Sequence, residues 1–130
     1  MFAIHSTESG NTLIFDDVQG DYFSVCFSSS AQSVKREVWA YTDAYGLANL
    51  FEYLASHELP WQSSEKWESI EGEFMLEATC NSRGIVNFKV SISNLGITEP
   101  WKFEGNVCTE LGQLPALAKS ARQFFGVSAG

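Results

Sequence analysis

Apolar and polar residues alternate along several short stretches of the chain, which is the pattern of strands with one buried face. Residues 12–29 predict two strands joined by a turn in DDVQGD, and residues 33–42 predict another strand. The strongest hairpin pattern covers residues 73–93, where Asn81 and Gly84 suit a tight reversal because both residue types adopt positive φ at little cost. Residues 100–109 predict one more strand.

Two other stretches have the period of a helix. The first predicts a helix over residues 44–57, with four apolar residues on one face: Leu47, Leu50, Phe51 and Leu54. The second predicts a closing helix that ends at Gly126 and carries an apolar stripe: Leu114, Leu117, Ala118 and Ala121. This order of elements predicts an α+β fold, an antiparallel sheet of about six strands with two helices packed on one face.

Length and composition are those of one soluble domain. The chain has 130 residues, of which 45% are hydrophobic, so residues 1–130 are predicted to form a single domain with its own core. It has no apolar run of the length needed to cross a bilayer and no secretory signal at its start, which predicts a cytoplasmic location. Its three cysteines are Cys26, Cys80 and Cys108, so at least one is unpaired, which suits a reducing compartment.

Charge narrows the choice of partner. The net charge of −8 argues against binding to nucleic acid or to an anionic membrane and favours a basic protein as partner. The acids are concentrated in one segment of thirteen residues that contains a single base, Lys66. The segment holds Glu65, Glu68, Glu71, Glu73 and Glu77. We predict that these five glutamates, together with Trp61 and Trp67, form the partner-binding site.

The sequence also predicts where the tryptophans lie and which way Glu73 and Glu77 point. The tryptophans Trp61 and Trp67 fall in a polar connection beside the acids, whereas Trp39 and Trp101 fall in strands and are expected to cover the core. The alternation that starts at residue 74 places Glu73 and Glu77 on the wet face of a strand, within reach of Lys89 on the next strand.

Motifs for catalysis are missing from the sequence. His5 and His57 are the only imidazoles, and they lack the paired spacing that would place two of them on one metal. The chain has no GxSxG elbow, no phosphate loop, no GxGxxG and no CxxC pair. We therefore predict a protein that is not an enzyme and has no metal or cofactor.

The stretch SIEGEFMLEATCNSRGIVNFKVSIS resembles the central hairpin of a bacterial domain family of unknown function. In that family, W-x-S-I/L-E-G-E-F/L-x-L-x-A is followed by D/N-x-x-G-x-V-x-F/L-x-V-x-I/L, which corresponds here to residues 67–92. The likeness extends over residues 34–125 and includes VWAYTDAYGLANLFEYLA. Family members tend to have His at the position of Ile85 and Asp at the position of Asn81, so this sequence departs from the family pattern at both. The resemblance implies a fold and a bacterial cytosolic context, and it assigns no catalytic residue.

Small, acidic, single-domain proteins without catalytic motifs recur among the immunity proteins of bacterial toxin systems. By this analogy, the leading hypothesis is an immunity-type inhibitor that binds a cognate secreted toxin through its acidic surface. One alternative is a structural or adaptor domain whose acids only solvate a sheet edge. The other is a protein that binds a small ligand in a cavity between sheet and helices, lined by Phe23, Phe27, Phe51 and Phe103.

Overall fold

A computed structural model describes residues 1–41, 43 and 45–126. In these residues, the first four strands are β1 (Phe2–His5), β2 (Thr12–Gln19), β3 (Tyr22–Ser28) and β4 (Ser33–Trp39), followed by helix α1 (Gly46–Ala55). The next four strands are β5 (Glu65–Glu68), β6 (Phe74–Cys80), β7 (Ile85–Asn94) and β8 (Trp101–Glu110). A short 3-10 turn, Leu111–Gln113, then leads into helix α2 (Leu114–Phe125).

The strands form two antiparallel sheets rather than one. Each sheet is a four-stranded meander, in the orders β1-β2-β3-β4 and β5-β6-β7-β8. The α+β class is confirmed, whereas the prediction of one sheet of about six strands is wrong. Alternation along a strand shows which side chains face inward, but it does not show which strand lies alongside. The chain leaves the first sheet after β4, and the strands that follow α1 pair only with one another among the described residues.

The two hairpins predicted from alternation are confirmed. Between β6 and β7, the Asn81 side-chain oxygen accepts hydrogen bonds from the amides of Arg83 (2.9 Å) and Ile85 (3.0 Å), and Gly84 has φ of 80°. Between β2 and β3 the reversal is confined to residues 20 and 21, because a bulge at Asp17, with φ of 54°, lets β2 continue to Gln19.

Both predicted helices are present. Helix α1 is shorter than its predicted range of 44–57, and the first residue of that range, Ala44, lies outside the described residues. Helix α2 carries Pro115 in its first turn and ends at Gly126, which adopts the left-handed conformation with φ of 72°. The helices pack against each other, and Arg122 of α2 forms an ion pair with Glu52 of α1.

One aromatic core joins both sheets and both helices. Phe15 of β2 meets Phe74 of β6, with ring centroids 5.8 Å apart. The same distance is 4.9 Å between Phe27 of β3 and Phe103 of β8. Three of the four phenylalanines predicted to line a ligand cavity are fully buried in this core, and Phe103 packs against it. Their side chains therefore fill the interior that they were predicted to line.

The edges of the two sheets also touch. The amide of Thr7, just after β1, donates to the carbonyl of Cys108 in β8 (2.9 Å). On the opposite edge, Arg36 Nε of β4 donates to the carbonyl of Ser93 in β7 (3.2 Å). The second contact brings β4 beside the turn between β5 and β6 and the loop between β7 and β8, where the candidate site lies.

Candidate functional site

The predicted acidic segment is divided among different environments. In the register of β5 with β6, Glu65 lies opposite Ala78, and Trp67 lies opposite Leu76, whose side chain is buried. Lys66 and Glu68 alternate with them and point to the outer face of the second sheet. Glu65 is half-buried and accepts a hydrogen bond from Ser63 Oγ (3.1 Å). The five glutamates therefore do not form one continuous patch.

Lysine side chains of the neighbouring strands also lie on the outer face of the second sheet. Glu77 lies between Lys66 of β5 and Lys89 of β7 in the strand register, which confirms the predicted facing of Glu77 and Lys89. The ion pair that Lys89 forms is nevertheless with Glu104 of β8, at 3.7 Å, and Lys102 approaches the same carboxylate at 3.3 Å. Charges of both signs thus alternate on this face, and Glu77 is not part of an acidic surface.

The prediction that Trp61 and Trp67 lie in a polar loop is confirmed for Trp61 and wrong for Trp67, and both indoles are buried. Trp67 is in β5 and is 7% exposed, and its indole N–H donates to Asp43 Oδ2 at 2.8 Å. Trp61 precedes β5, is 8% exposed, and packs beside the ring of His57 with a centroid distance of 4.7 Å. The sequence around them is polar because their neighbours face solvent while the two indoles complete the core.

Glu73 was predicted on a wet strand face, and that placement is also wrong. Gly72, with φ of 75°, turns the chain before β6, and Glu73 is 7% exposed. Its carboxylate accepts hydrogen bonds from the hydroxyl of Ser69 and from the backbone N–H of Trp39, the latter at 3.4 Å. Glu73 therefore ties the turn between β5 and β6 to strand β4.

Replacing Glu73 by Gln tests this structural role. The amide keeps the shape but replaces one carboxylate oxygen with an NH2 donor, so it no longer accepts hydrogen bonds from both the Ser69 hydroxyl and the Trp39 amide. We expect the free energy of unfolding to fall by about 1–3 kcal/mol, the range for hydrogen bonds to a buried charged group. Urea denaturation measures it. The matched control is Glu71→Gln, an exposed carboxylate two residues away, which should change stability by less than about 0.5 kcal/mol; equal effects would contradict the assignment.

Exposed apolar side chains mark one end of the molecule, which we call the loop end. It consists of residues 69–73, between β5 and β6, and residues 95–100, between β7 and β8. Ile70, Leu95 and Ile97 are 63%, 66% and 47% exposed. Three exposed acids accompany them: Glu68, Glu71 and Glu99. The sequence contains a signal for this end that our prediction did not use, namely single apolar residues inside the turn sequences SIEGE and NLGITEP.

A cleft of about 360 Å³ joins the two loops of this end, and we call it the acidic cleft. Glu71 and Glu73 line it from one side and Leu95 from the other, with Arg36 between them. The guanidinium donates to two backbone carbonyls, of Ser93 (3.2 Å) and of Glu37 (3.3 Å). The cleft thus combines two carboxylates, one arginine engaged by the main chain and one apolar wall.

Other polar features in the described residues are weaker candidates. A surface cavity of about 500 Å³ lies at the opposite end of the second sheet and is lined mainly by turn residues around Gly84 and Gly112. Burial and the nearby Glu8 carboxylate raise the pKa of Cys108, which makes this thiol a poor nucleophile at neutral pH. Within the described part of the chain, no three His, Cys, Asp or Glu side chains come together as a metal site. No described helix is long and apolar enough to cross a membrane.

The fold and its surface define the class: a small α+β domain of two antiparallel sheets and a helix pair, with three exposed aliphatic side chains, Ile70, Leu95 and Ile97, on the two loops of one end. A family model described as "Family of unknown function (DUF6228)" matches residues 7–128, and the chain belongs to this family. No curated protein matches it. Membership in a family of unknown function is therefore confirmed, while the likeness to immunity proteins stays a prediction.

Proposed function

We propose that this protein is a non-catalytic, protein-binding module of the immunity type, which binds and neutralises a basic bacterial toxin domain through its loop end. The proposal includes a cytoplasmic location, where such an inhibitor meets its toxin. It keeps Glu68 and Glu71 from the predicted site and adds Ile70, Leu95 and Ile97. The buried Trp61 and Trp67 support the fold beneath this surface.

The observation that carries the proposal is the coincidence of exposed apolar and acidic side chains at the loop end. A large apolar side chain that is about half exposed or more gains free energy when a partner covers it. Ile70, Leu95 and Ile97 reach this exposure on two loops that share the acidic cleft. Apolar contacts surrounded by charges are the usual composition of a protein interface.

Charge supports a basic partner. The chain carries −8 overall, and Glu68, Glu71 and Glu99 take no part in the three ion pairs formed among the described residues. Free carboxylates around an apolar centre speed encounter with a basic surface and set its orientation. Many toxins that act on nucleic acid present basic clefts, since their substrate is a polyanion.

Charge reversal at the loop end tests the proposal. The toxin to test is the C-terminal domain of a secreted protein, provided that the neighbouring gene encodes one, and association is followed by stopped-flow fluorescence at several salt concentrations. We expect the double variant Glu68→Lys, Glu71→Lys to associate at least about tenfold more slowly at low salt, with a flatter salt dependence, because steering contributes factors of this size. Protection of cells that express the toxin should fall in parallel.

Glu110→Lys is the matched control. Glu110 is exposed and pairs with Ile85 at one end of the β7–β8 ladder, whereas the loop end follows the pair of Asn94 and Trp101 at the other, roughly 30 Å away at the rise of a strand. The control should associate like the wild type. Unchanged rates for the double variant would remove the loop end from the interface. If the neighbouring domain does not bind and only solubility responds to charge, the acids merely solvate a structural or adaptor domain.

A further inference from the structure

The outer face of the first sheet carries an aromatic cluster around Trp39, so the prediction that Trp39 covers the core is wrong. Tyr22 and Trp39 are direct cross-strand neighbours in β3 and β4, with nearly parallel rings (22°) and centroids 6.4 Å apart. Tyr41 packs edge-on against Trp39, at 5.3 Å and 82°. The two tyrosines are 45% and 47% exposed, and Trp39 is half-buried. The aromatic cluster, Tyr22, Trp39 and Tyr41, is therefore partly open to solvent.

The backbone that carries this cluster has an unfavourable conformation at Tyr41, which nearby hydrogen bonds maintain. Tyr41 has φ of 56°, a left-handed conformation that is unfavourable for a bulky residue. The amide of Ala40, just before it, donates to the carbonyl of Asp21 at 2.7 Å, and the amide of Trp39 donates to Glu73. Strain that surrounding hydrogen bonds maintain at an exposed position is a common property of binding sites.

Carboxylates form the next row on the same face. Asp16, Ser24 and Glu37 lie side by side across β2, β3 and β4, and the next row is Gln19, Tyr22 and Trp39, two residues away on β3 and β4 and three on the bulged β2. Two residues along a strand span roughly 6.6 Å. Asp16 and Glu37 are exposed and belong to none of the ion pairs of the described residues. Lys35 is the base nearest in register on this face, one row further on.

We propose that the aromatic cluster is a docking site for an arginine side chain of a basic protein segment. A guanidinium stacks on an indole face through cation–π attraction, and at this spacing its edge can reach the carboxylate of Glu37 on the same strand, while Asp16, two strands away, adds to the negative potential. Arginine fits better than lysine because its planar group can stack and donate hydrogen bonds at the same time.

The position of the cluster links it to the loop end. Glu73 accepts a hydrogen bond from the Trp39 amide and also lines the acidic cleft, so this one carboxylate connects the backbone of the aromatic cluster with the loop end. The inference rests on the proposed function only in taking the partner to be a basic protein. It names the side chain that such a partner would insert.

The test is an NMR titration of the full chain with the peptide acetyl-Gly-Arg-Gly-Arg-Gly-amide at low salt. The same peptide with citrulline, which is neutral but nearly the same shape as arginine, is the control ligand. We expect a saturable shift of the Trp39 indole N–H resonance with arginine, a shift at least about fivefold smaller with citrulline, and little change at Trp101, the other exposed indole. Equal shifts with both peptides, or equal shifts at both indoles, would overturn the proposal.

Two variants sharpen the result. Trp39→Leu should weaken binding of the arginine peptide about three- to thirtyfold, the range of a cation–π contact, as followed through the tyrosine ring resonances. Asp16→Asn with Glu37→Gln should weaken it and reduce its salt dependence, whereas Glu110→Gln should do neither. Unchanged affinity in both test variants would also overturn the proposal. If the peptide binds and the toxin does not, the proposed function alone is refuted. If the toxin binds both the wild type and the Trp39→Leu variant while the peptide does not bind, this inference alone is refuted.

Discussion

Replacing Phe15 by Ala should lower the free energy of unfolding by about 3–5 kcal/mol, the loss typical of a deleted core phenylalanine. Phe15 is completely buried in β2 and packs against four other rings: Phe2, Phe23, Phe74 and Phe125. Those rings belong to both sheets and to α2. The cavity would therefore open where the sheets meet, and urea denaturation followed by circular dichroism measures the loss.

Phe124→Ala is the matched control for Phe15. Phe124 is also a phenylalanine but is only partly buried on α2, so its loss should cost less than about half as much. A single transition that moves to lower urea would show that the two sheets share one core. A loss below about 1 kcal/mol for Phe15→Ala, or two separate transitions, would contradict this packing.

Replacing Trp67 by Ala should have an effect of similar size, about 3–5 kcal/mol, on stability. The buried indole packs against Phe23 and Phe74, with centroids 6.1 and 6.2 Å away, and its N–H bonds Asp43. Removing it deletes a large apolar group and leaves the carboxylate of Asp43 without that donor. Thermal unfolding checks the prediction.

Trp39→Ala separates a structural tryptophan from a binding one. Trp39 lies on the outer face and is only half-buried. Its removal should therefore lower the free energy of unfolding by about 1 kcal/mol or less, although it should weaken arginine binding. Asp43→Asn is a second control, since the amide oxygen still accepts the indole N–H of Trp67. If Trp39→Ala and Trp67→Ala lowered the free energy of unfolding equally, the placement of Trp67 in the core and of Trp39 on the outer face would be contradicted.

These contrasting tryptophans show where the functional prediction changed. From the sequence, Trp61 and Trp67 were candidates for the partner because polar residues surround them, and Trp39 was placed over the core because it lies in a strand. A tryptophan in a strand faces either side, and at the end of a sheet the neighbouring strands decide which side is covered. The structure buries Trp61 and Trp67 and places Trp39 on the outer face of the first sheet, so the surface that we propose combines the loop end with the aromatic cluster.

The local pattern of the chain determined the α+β class, both helices and the hairpins at residues 12–28 and 73–93. It also determined that Glu77 lies opposite Lys89. These features depend on residues that are close in sequence. Only the tertiary structure decided that the strands divide into two sheets and that Glu73 is buried. It also showed that charges from β7 and β8 accompany Glu77. The physical reason is that strand partners, burial and electrostatic surroundings come from residues far apart in the chain, which periodicity does not report.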